Sequence, residues 1–161
     1  MLERRIRVCL GRQRLELWEG ERLLAEFAVS TAERGAGERE GSGQTPRGIH
    51  RIEEKVGAGA PEGAVFEARC ATGEICTPER FRAEPDRDWI LSRILWLGGQ
   101  EPGRNQGGQL DTRNRFVYIH GTPDEARIGQ PVSHGCIRMR NADVIELFDR
   151  VEVGTPVEIV E

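Results

Sequence analysis

Lysine is almost missing from this chain: of its 23 basic residues 22 are arginine, and Lys55 stands alone. Base composition of the coding gene is the expected source of that excess as a whole. Arginine is nonetheless the cation suited to planar, bidentate recognition of carboxylates. A strong basic balance is lacking too. The formal net charge of −4 excludes a nucleic-acid partner held by counterion release, which needs a basic face. Long apolar runs are absent. The most apolar stretch, WILSRILWL at 89–97, is nine residues long and contains Arg93, too short and too charged to span a bilayer. The first twenty residues, MLERRIRVCLGRQRLELWEG, hold no uninterrupted apolar stretch of seven, so they do not read as a secretory signal. A cytoplasmic location is the expectation, or a periplasmic one if an export signal has been trimmed. Paired-ligand spacings such as C-x-x-C and H-E-x-x-H, repeats, heptads and a phosphate-cradling glycine loop are all missing. No metal and no cofactor is expected.

What is present describes a globular domain. With 161 residues, 37% hydrophobic and 31% charged residues and twenty glycines, the chain reads as one domain over 1–161, large enough for a core of its own. Its four cysteines, Cys9, Cys70, Cys76 and Cys136, are expected to be reduced, although a short loop closed by Cys70 and Cys76 would fit a bridge. Oligomeric state is not readable.

Residues 4–31 alternate apolar and polar with turns at Gly11-Arg12 and Glu19-Gly20-Glu21, the pattern of an antiparallel meander. A glycine-rich loop ends in Thr45-Pro46-Arg47-Gly48 and leads into a strand at 49–56. His50 on that strand is expected to face outward or to be satisfied within the sheet. Residues 57–88, rich in Gly, Pro and charge, read as a long lid-like loop. Residues 90–97 read as a buried strand or a short helix, and 115–120 (RFVYIH) as a strand delivering His120 at its end. Asn141 is a candidate N-cap for a helix with Val144, Leu147, Phe148 and Val151 on its apolar face. A last strand covers 157–160.

Chemistry concentrates at 119–139, IHGTPDEARIGQPVSHGCIRM, where Cys136 follows His120 by sixteen positions. A thiol attacks as thiolate, which requires a neighbouring imidazole, positive charge or aligned amides. His120 is the candidate base, its second nitrogen held by a third group; no acid is an obvious third member, and a backbone carbonyl would serve. Gly135 permits close backbone approach, and the amides of 135 and 136 are candidate oxyanion donors. Two other readings stand beside this one: a buried structural cysteine, and a zinc site made of His120, His134 and Cys136.

His120-Gly121-Thr122 followed by Ser133-His134-Gly135-Cys136-Ile137-Arg138-Met139 resembles the catalytic domain of the L,D-transpeptidases (YkuD-like). Val29-Ser30-Thr31, Thr45-Pro46-Arg47-Gly48 and the helix at 143–151 resemble it as well, so the likeness runs over nearly the whole chain. It implies a mainly β, sandwich-like domain with one or two short helices. It also implies a peptidoglycan stem peptide or soluble muropeptide as substrate, cleaved between the diamino acid at position three and the terminal D-alanine through a thioester. On this chain the resemblance makes Cys136 the nucleophile and His120 the base. The Gly121 carbonyl would orient His120, and Gly135 would form the oxyanion pocket with Cys136. Ser133 and His134 would shape that pocket, while Arg138 and Tyr118 would meet the substrate. Transfer to an amine or, as in an L,D-carboxypeptidase, to water both follow from that thioester. A non-catalytic muropeptide-binding domain is the alternative of another class.

Overall fold

The computed structural model describes residues 3–161. Strands β1 (Arg4–Cys9), β2 (Arg14–Glu19) and β3 (Arg22–Ser30) form the expected meander. Period-two patterning puts Ile6, Val8, Leu15 and Leu17 on one face, fully buried, and the charged residues between them on the other. Ile6 lies opposite Leu17 and Val8 opposite Leu15, so a one-residue slip would turn the whole apolar set to water.

The remaining strands are β4 (Gly48–Val56), β5 (Ala64–Glu67), β6 (Cys70–Ile75), β7 (Ile90–Gly99), β8 (Tyr118–Gly121), β9 (Ile137–Met139) and β10 (Pro156–Val160). Their hydrogen-bonded order is β4-β10-β1-β2-β3-β9-β8-β7-β5-β6, and β4 also pairs with β7. The eight strands other than β5 and β6 therefore close on themselves, and the architecture is mainly β, 43% strand and 14% helix. Helix α2 (Asn141–Arg150) packs Val144, Leu147 and Phe148 into the main core beside Ile119, Ile137 and Met139. Each such side chain contributes about 1.5–3 kcal/mol on burial. Lys55 donates from Nζ to the Phe148 and Val151 carbonyls, 2.7 Å each, at the end of α2, where a cation complements the helix dipole.

Two sequence expectations need correction. Residues 57–88 are not a loop: they contain the β5–β6 hairpin, paired to the start of β7 through Val65 and Phe66, and helix α1 (Pro78–Ala83). The four exposed residues Cys70–Gly73 give β6 no alternation to read, because it is an edge strand with little to bury. The strand anticipated at 115–120 starts only at Tyr118, because Phe116 is left-handed (φ 56°). Residues 90–97 are strand, within β7. Cys70 opens β6, Cys76 lies one residue past its end, and both are free thiols. An extended strand separates such Cα atoms by about 20 Å, whereas a disulfide tolerates about 7 Å.

Candidate active site

Parallel pairing of β8 with β9 assembles the site. Ile119 lies opposite Ile137 and His120 opposite Arg138. Ile119, Ile137 and Met139 face the main core, so by alternation Tyr118, His120, Cys136 and Arg138 share the other face of the sheet. Cys136, just before β9, packs against a second apolar cluster of Phe66, Ile94, Trp96 and Tyr118.

The turn ahead of the nucleophile is held by backbone and hydroxyl bonds. Ser133 is buried; its Oγ donates to the Cys136 carbonyl (2.6 Å) and accepts the Gly135 N–H (3.2 Å). Thr45 Oγ1 donates to the Gly135 carbonyl and accepts the Ala32 N–H, 3.0 Å each. Gly135 has φ +131°, and a Cβ there would stand 3.2 Å from the Gln44 carbonyl oxygen. Only glycine fits this turn without strain. Arg115 ties the same loop down, donating to the Gln44 (2.6 Å) and Gly37 (3.2 Å) carbonyls.

The half-buried thiol of Cys136 accepts the Tyr118 N–H (3.3 Å) and donates to the Phe116 carbonyl (3.4 Å). At rest its hydrogen bonds thus run to backbone and not to the His120 ring. Burial pushes this thiol up to about 11, the Tyr118 N–H acting in the opposite sense. Buried His120 is pushed down to about 4, first by burial and also by the Arg138 cation, with the Gly121 carbonyl opposing. At neutral pH the pair is therefore thiol and neutral imidazole. His120 Nδ1 meets the Gly121 carbonyl oxygen at 2.7 Å. A carbonyl can only accept, so Nδ1 carries the hydrogen and Nε2 keeps a free lone pair. That arrangement suits a base taking the thiol proton as sulfur attacks, not a standing ion pair.

The other candidates fall around this pair. Exposed His134 and half-buried Arg138 line a cleft of about 220 Å³ together with Asp88, Trp89, Thr122 and Asp124. Tyr118 presents its hydroxyl to Arg69 Nη1 (3.1 Å), from the β5–β6 turn. Among the described residues no group of three or more His, Cys, Asp and Glu is placed to hold a metal ion. His50 is inside rather than outward, its ring nitrogens meeting the Gly48 carbonyl (3.1 Å) and Thr112 Oγ1 (2.9 Å). The residue types at 45, 69, 115 and 141 gave no sign of their places in the site; of the four only Thr45 lay in a segment that carries the family resemblance.

Comparison with known proteins bears on this site. The family model described as the L,D-transpeptidase catalytic domain (YkuD) matches residues 3–159. The probable L,D-transpeptidase ErfK/SrfK of Escherichia coli K12 is 53% identical over 85 residues, 53% of this chain and 26% of that protein. The putative L,D-transpeptidase YkuD of Bacillus subtilis 168 is 49% identical over 61 residues, 35% of this chain and 37% of that protein. These matches span about a quarter of the first relative's length and little more than a third of the second's. Among solved structures, L,D-transpeptidase 3 from Mycobacterium tuberculosis, in complex with a faropenem-derived adduct, superposes with a TM-score of 0.62 at 15% identity. It covers 99% of this chain and 61% of that one; at such identity the likeness is one of fold.

Proposed function

Because this chain belongs to the L,D-transpeptidase catalytic domain family, we propose that it is a cysteine acyltransferase acting on peptidoglycan tetrapeptide stems. Cys136 Sγ attacks the carbonyl at the L-centre of the diamino acid in position three, and its proton passes to His120 Nε2. The oxyanion accepts from the Cys136 N–H, joined by the Gly135 N–H once that leaves Ser133 Oγ. Collapse breaks the bond to D-alanine, whose nitrogen takes the proton from His120, and a thioester remains on Cys136. An amine of a second stem, or water, then attacks the thioester with His120 again as base, and the thiol is restored. Arg138 offers its guanidinium to a stem carboxylate, Tyr118 and His134 border the bound peptide, and Ser133 keeps the nucleophile turn closed.

One observation carries this reading. His120 is fixed by the Gly121 carbonyl at 2.7 Å on the sheet face that also bears Cys136, which leaves Nε2 as the available base. The test is incubation with a disaccharide tetrapeptide: D-alanine is released, and Cys136→Ala abolishes release. Release by that variant overturns the nucleophile assignment. Product mass separates the two acceptors, a cross-linked dimer marking transfer to an amine and a tripeptide alone marking hydrolysis. A penem or carbapenem adds its mass at Cys136 and not to Cys136→Ala.

A further inference from the structure

A base that must take a proton from sulfur needs its ring aimed, and the group that aims His120, the Gly121 carbonyl, belongs to the last residue of β8. Beyond the strand pairing of Gly121 with Leu91 and Met139, a carboxamide braces that backbone. Asn141 Nδ2 donates to the Thr122 carbonyl (2.9 Å) and to Glu125 Oε2 (3.1 Å), and its main-chain N–H donates to the same Glu125 oxygen (2.7 Å). Asn141 Oδ1 accepts from Ser92 Oγ at 2.6 Å, and Ser92 Oγ accepts the Gly63 N–H at 2.9 Å. The carboxamide has two N–H donors and one oxygen, and all are engaged. Its orientation is settled as well, because a carbonyl and a carboxylate on the Nδ2 side can only accept. Asn141 is therefore not the N-cap its residue type suggests. The cap position is Arg140, without a side-chain bond, and the Glu125 carboxylate serves the helix start from sixteen residues away.

Two further features centre on the same carboxamide. A Cβ on Gly121 would lie 2.3 Å from Asn141 Oδ1 and 2.7 Å from the Leu91 carbonyl oxygen. The backbone that orients His120 is thus pressed between Asn141 and β7, at a distance only glycine allows. Ser92, fully buried, is held at φ +73° where the β7–β8 register shifts between Leu91 and Ile94. A left-handed serine inside a strand costs about 1–3 kcal/mol and persists where the surroundings over-determine it. Here it aims a hydroxyl at Asn141.

We propose that Asn141, buttressed by Ser92, is the positioning residue of the catalytic base: it locks the Gly121–Thr122 backbone so that His120 keeps its proton on Nδ1 and its lone pair on Nε2. This rests on His120 being the general base. Asn141→Asp keeps the size and the acceptor for Ser92 but loses both N–H donors and sets a second carboxylate against Glu125. Asn141→Ala removes the whole bracket. Ser92→Ala leaves the Asn141 donors engaged and frees the Asn141 oxygen and the Gly63 N–H.

The test combines D-alanine release with histidine nitrogen NMR on the 15N-labelled protein. The expected result is a kcat lower by about 10–100-fold in both Asn141 variants, with KM within about twofold, since misplacement near 1 Å costs on the order of 100-fold. Ser92→Ala falls between these and the unaltered protein. The His120 signals change from a single Nδ1–H tautomer to a mixture, while those of His50, held by its own partners, stay put and report that the fold is intact. Folded Asn141 variants with an unchanged His120 tautomer overturn the proposal, whatever happens to the rate. So does an unchanged kcat. If the unaltered protein releases no D-alanine, the substrate reading fails, and the tautomer comparison still decides the role of Asn141.

Discussion

Two buried histidines of this molecule share an environment and differ in what they can do. His50, on β4, and His120, on β8, are both nearly inaccessible, both have a ring nitrogen against a backbone carbonyl, and both are pushed down to about 4 chiefly by burial. His50 spends its second nitrogen on Thr112 Oγ1 at 2.9 Å, so its ring is saturated. Among the described residues His120 has a single side-chain bond, to the Gly121 carbonyl, and it shares its sheet face with a thiol. Burial and a displaced pKa do not mark a catalytic histidine; an uncommitted nitrogen beside a nucleophile does.

The sharpest way to break that contrast is to exchange each ring for an amide. His120→Gln is expected to lower D-alanine release at least about 1,000-fold, the scale on which removal of a catalytic dyad or triad member acts, while the fold stays intact by circular dichroism. His50→Gln is expected to leave activity per folded molecule within about twofold and to cost about 1–3 kcal/mol of stability in a urea titration, the penalty of unpaired buried polar groups. Comparable activity losses in the two variants would dissolve the distinction.

Gly135→Ala probes the site's side of the comparison at the backbone. At φ +131°, with the added Cβ 3.2 Å from the Gln44 oxygen, strain of about 1–3 kcal/mol falls on the nucleophile turn. About a tenfold or greater drop in kcat is expected. A variant as active as the parent would show that the turn relaxes freely.

The third prediction concerns pH. Both histidines have folded-state values near 4, below the ordinary 6.5 of the unfolded chain. Between these values the unfolded chain binds more protons, so stability is fully present above about pH 6.5 and is lost as pH falls toward 4. His50 alone contributes on the order of 3 kcal/mol to this slope, and His50→Gln is expected to flatten the denaturation midpoint across that window. For the site, kcat/KM is expected to show its acid limb near pH 4 rather than 6.5, because His120 must be neutral to act. A limb at 6.5 would place His120 in a far wetter setting.

Smaller effects test the periphery. The Arg69 guanidinium lies 5.0 Å from the ring centres of Trp96 and Phe116 and donates to Tyr118 OH. Arg69→Ala is expected to lower the urea midpoint slightly and to change kcat by less than about threefold. A chelator is expected to change nothing in D-alanine release, and a loss restored by zinc would revive the metal reading of His120, His134 and Cys136.

Legibility followed burial and range. The meander and α2 could be read because each buries one face, and burial imprints a period of two or 3.6 on the residues; β7, buried on both faces, shows no alternation and read as either strand or short helix. The 64–83 region could not, because β6 lies at the sheet edge and α1 buries none of its residues. Phe116 broke the strand expected at 115–120 through its left-handed backbone, which no side-chain pattern announces. Asn141 misled for a related reason: its type is that of a cap, and the carboxylate that does the capping comes from Glu125, across a turn and a strand.

From its order of residues alone this chain declared a meander of strands, a thiol and an imidazole sixteen positions apart, and the glycines around them, since these depend on periodicity and short motifs; the mainly β fold came with the family resemblance those motifs carry. Tertiary structure decided which histidine has a free nitrogen, that the thiol rests on the 116–118 backbone, and that one carboxamide braces the base. Those outcomes turn on hydrogen bonds between groups distant in sequence, and each donor's partner is chosen by how the strands close and not by its neighbours along the chain.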